Sequence, residues 1–125
     1  MKKVFISVPM KGRTKENIEK SIEKMKKVAT AYLDEELEFV NTIVQDKPPY
    51  ETNKEHTAVW YLGKSLEILS QCDIFLGVYD TFPKYKGCYI ENKVADTYGI
   101  KRVMLEFDYI CPDLCAPTIP YTCKS

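Results

Sequence analysis

Four short apolar runs, at residues 2–8, 38–44, 73–79 and 101–107, are separated by three segments whose apolar residues recur with helical spacing. Strand, helix, strand in repeated succession is the unit of a parallel sheet, and its right-handed crossovers lay helices over both faces. The chain is therefore expected to be α/β: a Rossmann-like or flavodoxin-like three-layer sandwich on a four- to five-stranded parallel sheet. The first strand is the clearest, because KKVFISV alternates, is rich in Val, Ile and Phe, and stops at the turn residues Pro9 and Gly12. Thr14 reads as the N-cap of a first helix that turns Ile18, Ile22, Met25 and Ala29 to one side and runs to about Asp34. A loop at residues 45–55 precedes a second helix with an apolar face of Ala58, Trp60 or Tyr61, Leu62, Leu66 and Leu69. Gly87 opens a third helix, with Ile90, Val94 and Tyr98 predicted to face inward, and Gly99 ends it. Residues 108–125 hold three prolines and three cysteines without periodicity, so they are set apart as an irregular tail behind a single domain at residues 1–107.

With 125 residues, 45% of them hydrophobic, the chain is long enough to bury one ordinary core. Eighteen basic groups balance eighteen acidic ones, which argues against a dedicated nucleic-acid surface. The balance is uneven along the chain: residues 1–30 carry nine basic and three acidic groups, so an anionic ligand is expected near this end. No apolar run approaches the roughly 20 residues of a membrane span, and the opening MKKVFISVPM is no signal peptide; no membrane partner and a cytoplasmic location are expected. Five cysteines, an odd number without an export signal, are expected as free thiols. The spacing of Cys111, Cys115 and Cys123 fits no standard zinc pattern, and no metal or organic cofactor is expected.

In doubly wound sheets the ligand lies beyond the carboxyl ends of the strands where the winding reverses, which for the expected order 2-1-3-4 is between strands one and three. Two loops are thereby nominated, residues 9–13 and 80–87. The first offers Ser7, Pro9, Met10, Lys11, Gly12 and Arg13: a hydroxyl, backbone amides, two cations and a glycine ahead of a helix N-terminus, a set that suits a phosphate or sugar hydroxyls. The plainer reading is a turn shaped by Pro9 and Gly12 with solvated cations. It lacks the GxxxxGK[ST] arrangement, which disfavours a nucleoside triphosphatase. The second loop leads through Gly87 to Glu91, expected in the first turn of the third helix, where the helix dipole favours its ionised form. Such a carboxylate can attack a sugar anomeric carbon; it can equally serve helix electrostatics alone. Asp80 stands at the right end of its strand to meet a base or sugar hydroxyl, or to form a turn. Asp73 stands at the wrong end and is expected to cap or break the second helix. Trp60, Tyr79, Phe82, Tyr85 and Tyr89 could stack a base or simply pack. His56, the single histidine, falls at the start of the second helix and is not expected to be a general base.

Three ordered blocks carry a resemblance. VFISVPMKG, then Trp60-Tyr61-Leu62-Gly63-Lys64-Ser65-Leu66-Glu67 with Cys72-Asp73, then Gly87-Cys88-Tyr89-Ile90-Glu91 followed by Ala95 and Gly99 stand at matching spacing over residues 1 to about 107. Together they resemble the nucleoside 2-deoxyribosyltransferase superfamily, and within it a small bacterial and phage branch that opens with ISxPMxG. The resemblance implies that Glu91 is the nucleophilic glutamate of the G-x-x-x-E segment, that Lys11 and Gly12 lie in the loop receiving a 5′-phosphate, and that the protein forms a homo-oligomer to which the tail contributes. Two positions depart from the family pattern: Phe5 replaces a tyrosine whose hydroxyl positions the glutamate, and Ser65 replaces a base-contacting aspartate. Two readings follow. One is an enzyme that cleaves or transfers the N-glycosidic bond of a nucleotide or nucleoside, using Glu91 as nucleophile, the loop from Ser7 to Arg13 for phosphate or sugar, and Asp80 or Ser65 near the base. The other is a non-catalytic binder of a nucleotide or nucleotide-derived signal, motivated by Phe5 and Ser65.

Overall fold

The computed structural model describes residues 1–44 and 46–115. Cys123, with the rest of the expected tail from residue 116, and Gln45 of the loop expected at residues 45–55 lie outside the described residues. The elements run β1 (Lys2–Ile6), α1 (Lys15–Tyr32), β2 (Leu37–Val40), α2 (Lys54–Leu69), β3 (Ile74–Val78), α3 (Lys86–Thr97), β4 (Lys101–Leu105) and α4 (Phe107–Ile110), with a final 3₁₀ turn at Pro112–Leu114. The four strands form one all-parallel sheet in the order β2-β1-β3-β4. The fold class and the strand order expected from the sequence are both present, at the four-stranded end of the expected range.

Strand alternation divides the core between the two faces of the sheet. Val4, Ile6 and Val8 from β1 and the stretch beyond it, with Ile74, Leu76 and Val78 from β3, pack against Met25 and Ala29 of α1 and Ile110 of α4. On the other face Phe5 and Phe75 stack at 5.8 Å and meet Leu69 of α2 and Ala95 of α3. All five residues of β3 are buried, as expected of a central strand covered on both faces. Gly77 is part of that packing, since a Cβ there would lie 2.5 Å from the Phe75 ring. Thr14 caps α1 as its position predicts, its hydroxyl accepting from the Asn17 amide at 3.1 Å, and Asn53 caps α2 in the same way.

Several expectations are corrected. The second strand ends at Val40 rather than Val44, and residues 41–44 run on as extended chain held by the Thr42 hydroxyl, which donates to the Ile6 carbonyl at 3.0 Å. Ala58 is exposed, so the inner face of α2 begins later than its pattern implies. In α3 the buried residues are Glu91 and Ala95, whereas Ile90 and Tyr98 are exposed. The inner face is thus rotated by about one residue, because a carboxyl group takes a place that apolar periodicity assigns to a hydrophobe. Asp73 does not cap α2; its carboxylate accepts from the Lys3 amide at 2.8 Å and so caps the start of β1. The tail is not irregular at its beginning, since α4 and the 3₁₀ turn fold residues 107–114 back onto α1. No helix among the described residues is long and apolar enough to cross a membrane.

Candidate functional site

Alternation along β1 decides the site. Residues facing the α2/α3 side fall at Phe5 and then Ser7, and the Ser7 amide extends the ladder by donating to the Leu76 carbonyl at 2.9 Å. Just beyond the sheet, the Ser7 hydroxyl donates to Glu91 Oε1 at 2.7 Å in a buried bond. Glu91 is the sixth residue of α3 and 8% exposed. Its place in the second turn, not the first, removes it from the strongest field of the helix N-terminus. Burial therefore prevails: it pushes the Glu91 carboxyl up from 4.5 to about 7, against the opposing pull of the Ser7 and Ser65 hydroxyls. The expectation of a carboxylate held ionised by the helix dipole is corrected accordingly.

Glu91 opens onto a cavity of about 500 Å³ at the carboxyl ends of β1 and β3. The chain after β2 and α2 contribute Thr42, Ile43, Val44, Tyr61 and Ser65 to its lining. The loop after β1 contributes Lys11, and the loop before α3 with the first residue of that helix contributes Lys84 and Lys86. Phe5 also borders it and is 1% exposed. Of the residues nominated by sequence, Ser7, Met10, Lys11, Ser65, Gly87 and Glu91 line the cavity, and the crossover topology brings them there from β1, α2 and α3.

Four nominated residues do other work. Arg13 is turned away: its side chain is fully buried, donating to both Asp113 oxygens at 2.9 and 2.7 Å, to Ser21 Oγ at 2.7 Å and to the Pro9 carbonyl at 2.9 Å. It ties the loop after β1 to α1 and to the C-terminal turn, and a guanidinium so fully committed has no free fork for a ligand. The Arg13 hydrogen bond holds the Asp113 carboxyl below its ordinary value. Gly12 has φ +74 in the turn closed by the Arg13 amide on the Met10 carbonyl at 3.1 Å, so it shapes the loop rather than lining the cavity. Pro9 is buried against the core and Asp80 is exposed with φ 60, and neither lines the cavity. Asp is among the few side chains that tolerate that backbone, which makes Asp80 a turn former.

Sequence reasoning passed over Cys88, Lys84 and Lys86. Cys88 lies one turn before Glu91 on the same inner face and lines the cavity; burial pushes its thiol up to about 12, so it is an uncharged neighbour rather than a nucleophile. The spacing Cys88, Glu91, Ala95 was the available signal, read as a stripe with a polar member. Among the aromatic residues Tyr85 lines the cavity and Trp60 does not, while Tyr79 and Phe82 are exposed, with Phe82 packing on Tyr89 at 4.8 Å. His56 is exposed in the first turn of α2. The described cysteines, Cys72, Cys88, Cys111 and Cys115, are free thiols. Among the described residues no cluster of His, Cys, Asp and Glu is placed to hold a metal ion.

Chemically, the arrangement offers one buried carboxyl group able to accept or lose a proton near neutrality, a hydroxyl that orients it, and three lysines among the lining residues. Comparison with family models, with curated proteins and with solved structures gives no match for this chain.

Proposed function

We propose that this protein cleaves or transfers the N-glycosidic bond of a nucleotide or nucleoside, with Glu91 as the nucleophile. The observation that carries this reading is the single carboxyl group among the described cavity residues, oriented by the 2.7 Å bond from Ser7 at the switch point of the sheet. Glu91 Oε1 accepts that bond, and in this reading a carboxylate oxygen of Glu91 meets the anomeric carbon. Attack there displaces the base and leaves a glycosyl ester, which water or an acceptor base then resolves. Lys11, Lys84 and Lys86 favour a phosphorylated substrate, and Tyr61 offers ring surface for a base. The nucleophilic form is the carboxylate, so activity is expected to rise with pH through about 7. The test is to incubate the protein with nucleosides and nucleoside 5′-monophosphates and follow free base by chromatography beside Glu91→Gln. Base release that disappears in the variant supports the reading; equal release by both rejects it.

A second reading, a non-catalytic nucleotide binder, is favoured by Phe5, which brings no hydroxyl beside Glu91, and by the burial that keeps Glu91 partly protonated at neutral pH. A protonated Glu91 would hydrogen-bond a ligand hydroxyl instead of attacking it. Calorimetric binding of a nucleotide without base release would select this reading.

A further inference from the structure

Helix α2 is apolar on more sides than the fold covers. Ala58, Val59, Trp60, Tyr61 and Leu62 are five apolar residues in succession, and five residues sweep more than one full turn, so apolar side chains project here from every side of the helix. A helix of that kind belongs in an interior. Yet α2 buries Leu69 alone. One side is accounted for: Leu66, Ile68 and Leu69 pack with Phe5, Phe75 and Ala95, and Tyr61 and Ser65 line the cavity. On the other, His56, Val59, Gly63 and Glu67 follow one another along the surface at spacings of three, four and four residues. All four are exposed, Val59 at 65%. Trp60 stands beside this line, half-buried, with Lys64 Nζ 5.4 Å from its ring.

Two features of the line have no use within a single chain. A glycine inside a helix costs about 1 kcal/mol relative to alanine. A Cβ at Gly63 would meet no packing partner within 4 Å among the described residues, so nothing in the fold requires glycine there. What glycine leaves is room for another chain to come close. The second feature is charge: the line starts at His56 in the first turn and ends at Glu67 in the last, so it is complementary to its own reverse.

We propose that this line is an interface between two copies of the chain, with α2 of one running antiparallel to α2 of the other about a twofold axis. One register satisfies both features. It sets His56 opposite Glu67 of the partner subunit and lays Trp60 over Gly63 of the partner subunit, and the twofold axis repeats each contact. The glycine lets the two axes approach to the near end of the 8–10 Å range of packed helices. The inference stands apart from the glycosidic reading. It bears on the cavity because the helix clamped between the copies also supplies Tyr61 and Ser65 to its lining.

Sedimentation equilibrium of the full chain over a wide range of concentration tests this with wild type, Gly63→Gln, His56→Glu, and His56→Glu combined with Glu67→Lys. Wild type is expected at twice the chain mass. Gly63→Gln fills the room that Trp60 takes and is expected to be monomeric, with its fold retained by circular dichroism, because in the single chain the new side chain meets no packed neighbour and favours the helix. His56→Glu sets carboxylates face to face and is expected to weaken dimerisation about tenfold or more; adding Glu67→Lys is expected to restore it. A wild type that stays monomeric would overturn the proposal. So would a dimer that Gly63→Gln leaves intact, since the copies would then meet through another surface, and so would a double variant no tighter than His56→Glu.

Discussion

Replacing Glu91 by glutamine should stabilise the fold at alkaline pH while abolishing the proposed chemistry. Burial raises the Glu91 carboxyl from 4.5 to about 7. At about 1.4 kcal/mol per pH unit, that rise corresponds to roughly 3 kcal/mol between the protonation states. Because the folded-state value lies above the unfolded one, this stability is fully present below about pH 4.5 and is lost as the pH rises through about 7. Glutamine keeps the acceptor that Ser7 uses and never ionises. Wild type and Glu91→Gln are therefore expected to have similar unfolding free energies near pH 5 and to diverge by about 2–3 kcal/mol near pH 8, with the variant the more stable. Urea unfolding at a series of pH values, with a common slope for the two proteins, measures the difference directly. Curves that run parallel from acid to alkaline pH would refute the reasoning, because they would mean that folding leaves the ionisation of Glu91 unperturbed.

Other consequences can be checked separately. Ser7→Ala removes a buried hydrogen bond to Glu91, so the midpoint of any pH-dependent activity or ligand binding should move upward by about one pH unit, read from the pH profile. Asp113→Ala leaves the buried Arg13 guanidinium without its two-point partner and is expected to cost about 2–4 kcal/mol in urea unfolding, with looser ligand binding because the loop bearing Met10 and Lys11 loses its anchor. Gly77→Ala places a methyl group against the Phe75 ring, which stacks on Phe5 in the cavity wall, and should cost about 1–3 kcal/mol together with a measurable loss of nucleotide affinity by calorimetry.

The parts of this architecture that could be read from the sequence are those that hydrophobic pattern and capping chemistry specify locally. The alternation in KKVFISV, the apolar run over β3 and the Thr14 cap each need only near neighbours in the chain, and together they imply the crossover order 2-1-3-4. Ser7 and Glu91, nominated from the end of the first strand and the start of the third helix, both line the cavity, as does Ser65, which the family resemblance alone brought forward. What escaped was set by tertiary partners. Arg13 and Lys11 look alike as loop cations, and it is the bonds of Arg13 to Ser21 and to Asp113, a hundred residues away, that withdraw it from the cavity. Ile90 and Tyr98 mark an apolar stripe on α3 that lies outside, because the pairing of Ser7 with Glu91 turns the polar residue inward. That the loops bearing Lys11 and Lys84 converge follows from the expected neighbouring of strands one and three, but which of their cations line the cavity depends on tertiary contacts that no local pattern records.

The most direct test of the central claim is to trap the glycosyl ester on Glu91. A substrate nucleotide with fluorine at the sugar 2-position, mixed with the protein and quenched by acid, slows the second step more than it prevents the first. Intact and peptide mass spectrometry should then show the sugar phosphate added to the peptide containing Glu91, and no addition in Glu91→Gln. Base release without any adduct on that peptide, undiminished in the variant, would contradict the account.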